Sequence, residues 1–237
     1  MKKSPSLTRA IRVASLTLIL GSCQGSGYTS FLKFGHEDSK LALLDATQEN
    51  LDNQLEAHEH FISALNLFNR LTRFDSEDLE GLYEDFADEV DDCEGEVKDW
   101  QSRALDLRMR GNSLFAEWSA QLESFSRADL REKSASMLED ARARHAKLIV
   151  SMEATYSRME PVMMSLKDYV LFFQHNLNPR AINTLSDTYD GFVDEVLELT
   201  SEMEETRGET ESYLEALEGR SSTGGDTEPG SSPNPNP

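Results

Sequence analysis

Apolar residues recur at three- and four-residue steps along most of the chain, which is the spacing of one face of an α-helix. The clearest stretch runs from Leu79 to Phe125, where two series each advance by seven residues without slipping phase. One series is Tyr83, Val90, Val97, Ala104, Gly111, Trp118 and Phe125, and the other is Leu79, Phe86, Cys93, Trp100, Leu107 and Leu114. This repeat predicts a long, coiled-coil-like helix with one buried seam.

Three further helices are predicted from the same spacing. The first runs from Glu37 to about Phe74, with a stripe of Leu41, Leu44, Leu51, Leu55, Ile62 and Leu65 beside a stripe of Phe61, Ala64, Phe68 and Leu71. The third carries Leu138, His145, Met152, Met159, Leu166 and Phe173 beside Ile149, Tyr156, Met163 and Val170. The fourth carries Ile182, Tyr189, Val196, Met203 and Leu217 beside Leu185, Phe192, Leu199 and Tyr213.

Capping residues predict where these helices begin and end, because they accept hydrogen bonds from the first free backbone amides. Such residues precede the last three helices: Asp75 and Asp78, then Ser126 with Asp129, then Asn178 before Pro179. The fourth helix should end before Gly219, and Gly111 on the buried seam indicates a close helix crossing. Short connections imply antiparallel neighbours. We therefore predict an all-α fold, an elongated antiparallel bundle of about four long coiled-coil-like helices over residues 36–219.

The N-terminal residues have the three parts of a cleaved export signal. Lys2, Lys3, Arg9 and Arg12 are basic, residues 13–20 are apolar, and Leu20-Gly21-Ser22-Cys23 follows. The apolar run is shorter than the roughly 20 residues of a spanning helix, and the last four residues resemble the lipobox of bacterial lipoproteins. We predict a lipoprotein signal peptide at 1–22, lipidation of Cys23 with acyl chains such as palmitate, and a tether at 23–35. The alternative is an ordinary signal peptide that happens to contain a cysteine.

Lipidation of Cys23 would anchor the protein to a membrane without spanning it, since each buried methylene contributes about 0.8 kcal/mol. Gln24 follows the cysteine in place of the Asp that retains lipoproteins at the inner membrane, so we expect an exported protein of the outer membrane or cell surface. Residues 220–237 are rich in Ser, Gly and Pro and should form a disordered tail.

The charge of the chain argues against nucleic-acid binding. The formal net charge is −21, and cleavage before Cys23 leaves 19 basic against 44 acidic residues. Such a surface repels phosphate backbones. The chain also lacks a phosphate-binding Gly-rich loop and a His-Glu-x-x-His pair. Glu56 and His60, one turn apart, are interpreted as a surface helix pair, and Cys93 as a small buried hydrophobe. We predict no catalysis, no metal and no cofactor.

From Leu79 to about Leu217 the chain resembles the bacterial family catalogued as domain of unknown function 2959. The resemblance rests on residues 114–118 (LFAEW), 159–162 (MEPV) and 170–178 (VLFFQHNLN), together with Tyr28 followed shortly by Gly35-His36. In this chain acidic residues follow His36, where the family usually has a basic, aliphatic stretch. The resemblance implies an exported helical protein and transfers no catalytic residues.

Two hypotheses for function follow. The first is a structural or protein-interaction element, anchored through Cys23 and contacting other envelope proteins. The second is a helical binding module for an apolar ligand or lipid, with a residual cavity near residues 159–173. The apolar run that precedes the last junction is the candidate interaction patch: Tyr169, Phe172, Phe173, His175 and Asn176. We favour burial of Phe172 and Phe173 in the best-packed layer of the bundle over an exposed docking patch.

Overall fold

The computed structural model describes residues 37–73 and 78–219, and every regular element in those two ranges is helical. The elements in chain order are α1 (Glu37–Arg73), α2 (Leu79–Gln121), α3 (Ala128–Asn176), the single turn α4 (Pro179–Ile182) and α5 (Ser186–Glu218). Turns of 3₁₀ helix follow α2 at Leu122–Ser124 and α4 at Asn183–Leu185. The signal peptide, tether and tail predicted at 1–22, 23–35 and 220–237 lie outside the described residues.

The four long helices pack side by side, and each is antiparallel to its neighbours. Helix α1 contacts α2 and α5, and α3 contacts the same two helices. The hydroxyl of Ser39, near the start of α1, donates to Glu117 near the end of α2 at 2.7 Å. Near the end of α5, Tyr213 contacts His145 of α3 at 2.9 Å. The start of α1 and the end of α5 therefore both lie at the end of the bundle that holds the α2–α3 turn.

Helix length makes the bundle elongated. With 43 and 49 residues, α2 and α3 extend about 65 and 74 Å at about 1.5 Å per residue. The prediction of an all-α antiparallel bundle with four long helices is confirmed. None of the described helices has a stretch long and apolar enough to cross a membrane.

The predicted seams of α2 and α3 are the ones that form the core. In α2 the heptad positions from Phe86 to Trp118 are buried, and in α3 the series from Leu138 to Phe173 is buried throughout. Cys93, within the α2 seam, has no exposed surface, as predicted. The regular seven-residue repeat keeps these seams facing the partner helices over their full length.

In α1 one of the two predicted stripes is wrong at two of its positions. The stripe of Phe61, Ala64, Phe68 and Leu71 is buried. In the other stripe Leu65 is buried and the intermediate members are half-buried, but Leu41 and Leu55 are about half exposed. The inward positions in the first half of α1 are held instead by Leu43, Ala46, Thr47, Asn50, Asn53 and Gln54. Because several of these are polar, the apolar spacing pointed to the wrong side of the helix.

The helix boundaries confirm two predicted caps and correct a third. Asp78 accepts a hydrogen bond from the Gly81 amide at 2.9 Å, and Asn178 accepts one from the Ala181 amide at 3.1 Å. At α3, however, the N-cap is Arg127 and not Ser126, and its guanidinium binds Asp129 at 2.5 Å and 3.0 Å. Asp75 lies outside the described residues.

The last predicted helix is also divided. The Asn178 cap starts only the single turn α4, and a 3₁₀ turn separates it from α5. Helix α5 then ends at Glu218, before Gly219 as predicted, with Gly219 in the left-handed conformation at φ 76° and its amide bonded to Ala216 O. Glycine adopts this conformation without the steric cost that a Cβ would bring.

Candidate interaction surfaces

Aromatic side chains fill the end of the bundle that holds the α1–α2 turn and the α3–α5 junction. Phe68 of α1 is fully buried at their centre, and five rings lie with centroids 4.6–6.2 Å from it: Phe86, Tyr169, Phe173, Tyr189 and Phe192. Such ring pairs stabilise a core beyond the area they bury. All four long helices contribute to this cluster, which therefore locks that end of the bundle.

The structure separates the members of the predicted interaction patch. Phe173 is fully buried and contacts Phe86 edge-on at 5.9 Å, as the burial hypothesis predicts. Phe172, for which burial was also predicted, is only half-buried, as is Tyr169, and His175 is exposed. The Asn176 amide donates to Phe172 O at 3.0 Å and so caps the end of α3. Phe173 is part of the core and not of an outer surface, while docking at the other four residues remains a prediction.

A buried polar layer divides the core into two apolar clusters. Its members come from three helices: Asn50 and Gln54 from α1, Thr155 from α3, and Thr206 and Thr210 from α5. The Gln54 amide donates to Asn50 at 2.7 Å and to Thr210 at 3.0 Å, and Thr155 and Thr206 share a bond of 2.8 Å. Since buried polar groups need partners, this layer favours one register of the helices over its alternatives.

A second polar contact joins α1 to α2. His60 Nδ1 lies 2.6 Å from Glu89 Oε1, and not against Glu56 on its own helix as the sequence interpretation had it. Burial lowers the pKa of His60, but the hydrogen bond and charge of Glu89, with the charges of Asp92 and Glu96, outweigh it and raise the pKa above its ordinary value. Burial and Glu56 raise the pKa of Glu96, which accepts a hydrogen bond from Asn53 at 2.5 Å.

Helices α2 and α3 cross closely at Gly111, as the sequence predicts. A Cβ at this position would overlap the imidazole of His145. The ring is buried, and its Nδ1 lies 2.9 Å from the Tyr213 hydroxyl of α5. Burial and the charge of Arg108 lower the pKa of His145 to about 4, against the effect of the Arg108 carbonyl. His145 is therefore neutral at pH 7 and acts as a packing residue.

An open groove of about 460 Å³ runs between α2 and α3 beside this crossing. Its apolar walls include Phe115, Ala146, Ile149 and Val150, with the buried edge of His145 between them. Two ion pairs stand at its ends, Arg108 with Glu153 and Arg142 with Glu139, the latter at 3.0 Å. A smaller groove of about 260 Å³ lies between the end of α1 and the start of α5, beside Thr72, Ile182 and Tyr189.

Cys93 and the acidic side chains are the remaining groups of chemical interest in the described residues. Burial is the main cause that raises the pKa of the Cys93 thiol, so the nucleophilic thiolate is disfavoured. No group of three or more His, Cys, Asp or Glu side chains in the described part of the chain is arranged to hold a metal ion. Cys23, the predicted lipidation site, lies outside the described residues.

The described residues form an elongated all-α bundle with a buried polar layer and two open grooves on its surface. The chain matches a family described as Protein of unknown function (DUF2959) over residues 27–217 and belongs to it. No match was found among curated proteins or among solved structures. The match begins ten residues before α1 and ends within the last turn of α5, so the family unit is the bundle together with the residues that lead into it.

Proposed function

We propose that this protein is a lipid-anchored bacterial lipoprotein of the outer membrane or cell surface, and that its bundle is a structural or protein-interaction element without catalysis. The observation that carries the proposal is Leu20-Gly21-Ser22-Cys23 directly after a basic segment and a short apolar run. Anchoring is expected to need two or more acyl chains, since one chain alone binds membranes only reversibly.

The architecture supports an end-on arrangement. The start of α1 lies at the α2–α3 turn end, so an anchor at Cys23 holds that end nearest the membrane. The aromatic end then stands away from the membrane by the length of the bundle, about 65–75 Å. Four residues of the predicted patch have accessible surface at this aromatic end that another envelope protein could contact: Tyr169, Phe172, His175 and Asn176.

Packing favours this proposal over the alternative of a module for an apolar ligand or lipid. That alternative needs a cavity near residues 159–173, but Met159, Leu166 and Phe173 are fully buried against neighbouring helices. The two grooves described above are open to solvent and lie elsewhere.

Membrane fractionation tests the anchoring. The parent should sediment with membranes and stay there after an alkaline carbonate wash, which strips proteins held only by surface contacts. The Cys23→Ser variant should appear in the soluble fraction or as an uncleaved precursor. Release of the parent by the wash, or equal retention of a cleaved Cys23→Ser chain, would refute a lipid anchor.

Photo-crosslinking in cells tests the interaction role. A photoreactive residue in place of exposed Leu171, which neighbours the predicted patch, should capture an envelope protein. The same residue in place of exposed Leu41 at the membrane-proximal end should not capture that protein. Equal capture at both positions would show contact by proximity alone and contradict docking at the aromatic end.

A further inference from the structure

Three exposed apolar side chains lie along the surface between α2 and α3. Leu105 and Met109 of α2 are 55% and 58% exposed, and Val150 of α3 is 64% exposed. Val150 lines the 460 Å³ groove together with the small residues Ala116 and Ala146. Leu105 and Met109 precede the lining residues Asn112 and Ala116 by seven residues each, so they continue the same side of α2. We call the surface formed by these five residues and the groove the α2–α3 face. Exposed apolar side chains grouped on one side of a domain are typical of a contact site.

Charge also distinguishes this face. The groove lining carries two basic residues, Arg108 and Arg142, and one acidic residue, Glu153, within a chain of net charge −21. A strongly acidic surface would repel a second copy of the same acidic chain. The α2–α3 face therefore presents less negative charge to a second copy than the chain does as a whole.

The ion pair at the groove is complementary in charge to the same ion pair of a second copy. Arg108 lies on α2 and Glu153 lies opposite it on α3. A two-fold axis parallel to the helices would exchange the two sides, so Arg108 of each copy would lie over Glu153 of the other. Contacts of this isologous type are the usual basis of symmetric dimers, and complementary charges set their register.

We propose that the protein forms a parallel two-fold homodimer through the α2–α3 face, with a second copy covering Leu105, Met109 and Val150. The parallel arrangement places the starts of both α1 helices at the same end, which is compatible with two copies in one membrane. The dimer does not depend on the lipid anchor, because every contact named belongs to the bundle.

Thiol crosslinking of the full chain in cells tests the dimer. Cys93 is fully buried, so Met109→Cys supplies a new reactive thiol, and a short bismaleimide should link two copies into a band of twice the mass. Leu197→Cys, on an exposed position of α5, is the matched control and should give no such band. A band of twice the mass in the parent would come from unacylated Cys23, and it would count against the lipid anchor. In that case the comparison of Met109→Cys with Leu197→Cys is repeated in chains that also carry Cys23→Ser.

The proposal would be overturned by the absence of a dimer band from Met109→Cys, by an equal band from Leu197→Cys, or by a Met109→Cys band that contains a different protein. Val150→Glu in the Met109→Cys chain should reduce the band about tenfold or more, because it places like charges at the interface. Circular dichroism melting of each variant establishes that the bundle is folded. An undiminished band from a folded Val150→Glu chain would also contradict the dimer.

Charge complementation separates contacts between copies from the pair within one copy. Arg108→Glu leaves two acidic residues at the pair, and Glu153→Arg leaves two basic residues. Each of these two substitutions is made in a Met109→Cys chain with its own tag, and both chains are expressed in one cell. The amount of crosslinked mixed dimer should then exceed the amount of each homodimer by about tenfold. Equal amounts of all three dimers would show that these residues do not face each other across the interface.

Discussion

Gly111 lies where the α2 backbone meets the His145 ring, and it is a position at which a methyl group has no room. Gly111→Ala should lower the free energy of unfolding by up to about 2 kcal/mol, because overpacking costs about 1–3 kcal/mol while the gain in helix propensity is about 1 kcal/mol. Urea denaturation measures the change. Gly95→Ala is the matched control: a Cβ there meets nothing within 4 Å, so it should stabilise by about 0.5–1 kcal/mol. Equal effects at both glycines would contradict the close crossing.

Phe173 contributes to the aromatic cluster on the same helix as exposed Leu171. Phe173→Ala should cost about 3–5 kcal/mol, because it removes a fully buried ring and leaves a cavity. Leu171→Ala should change stability by no more than about 0.5 kcal/mol, since Leu171 is mostly exposed. Thermal melting of both variants measures this difference. A Phe173→Ala chain that melts like the parent would restore the docking hypothesis for this residue.

Between helices, the α1–α2 contact of His60 with Glu89 makes stability depend on pH. The folded-state pKa of His60 is raised above 6.5. Its contribution to stability is therefore fully present below pH 6.5 and is lost as the pH rises through the raised pKa. His60→Gln removes the titrating group, so the melting midpoint of the parent should exceed that of the variant most at about pH 5.5 and least at about pH 8.5. A difference that grows with pH would contradict this assignment.

The individual helices show how many of the buried positions the apolar pattern predicts. In α2 and α3 unbroken heptads predicted the buried seam, because nearly every inward position is apolar. In α5 the predicted series skip two inward positions, which are Thr206 and Thr210 of the buried polar layer. In α1 the same layer supplies Asn50 and Gln54, and the pattern selected a stripe that is exposed at Leu41 and Leu55. Polar residues carry no apolar period, so the layer becomes visible only when three helices are brought together.

Side-chain chemistry at the connections was also only partly predictable. Asp78 and Asn178 act as caps, as their residue types suggest. Ser126 does not, because Arg127 takes the extended cap position and its guanidinium holds Asp129. The α2–α3 groove had no sequence signal, since it arises from small residues on two helices that are about 30 residues apart in the chain. The pairing of His145 with Gly111 follows from the alignment of those helices.

At the scale of the molecule, we expect the protein to be elongated in one direction. A spherical domain of about 180 residues has a radius of gyration of about 16 Å, whereas helices of about 65–74 Å require a larger value. Small-angle scattering on a chain that begins at Gln24 should show this elongation. The dimer proposed above keeps the helices parallel, so it thickens the particle and leaves its length unchanged. A radius near that of a sphere would contradict the bundle dimensions.

The central claim is that Cys23 carries the lipid that holds this bundle at a membrane, and fatty-acid labelling tests it most directly. Cells fed an alkyne-tagged palmitate should label the parent, and mass spectrometry should locate the acyl chains on an N-terminal Cys23 after loss of residues 1–22. The Cys93→Ser variant should be labelled equally, because Cys93 is buried in the α2 seam. The Cys23→Ser variant should carry no label. Label that persists in Cys23→Ser, or a parent without label, would contradict the account.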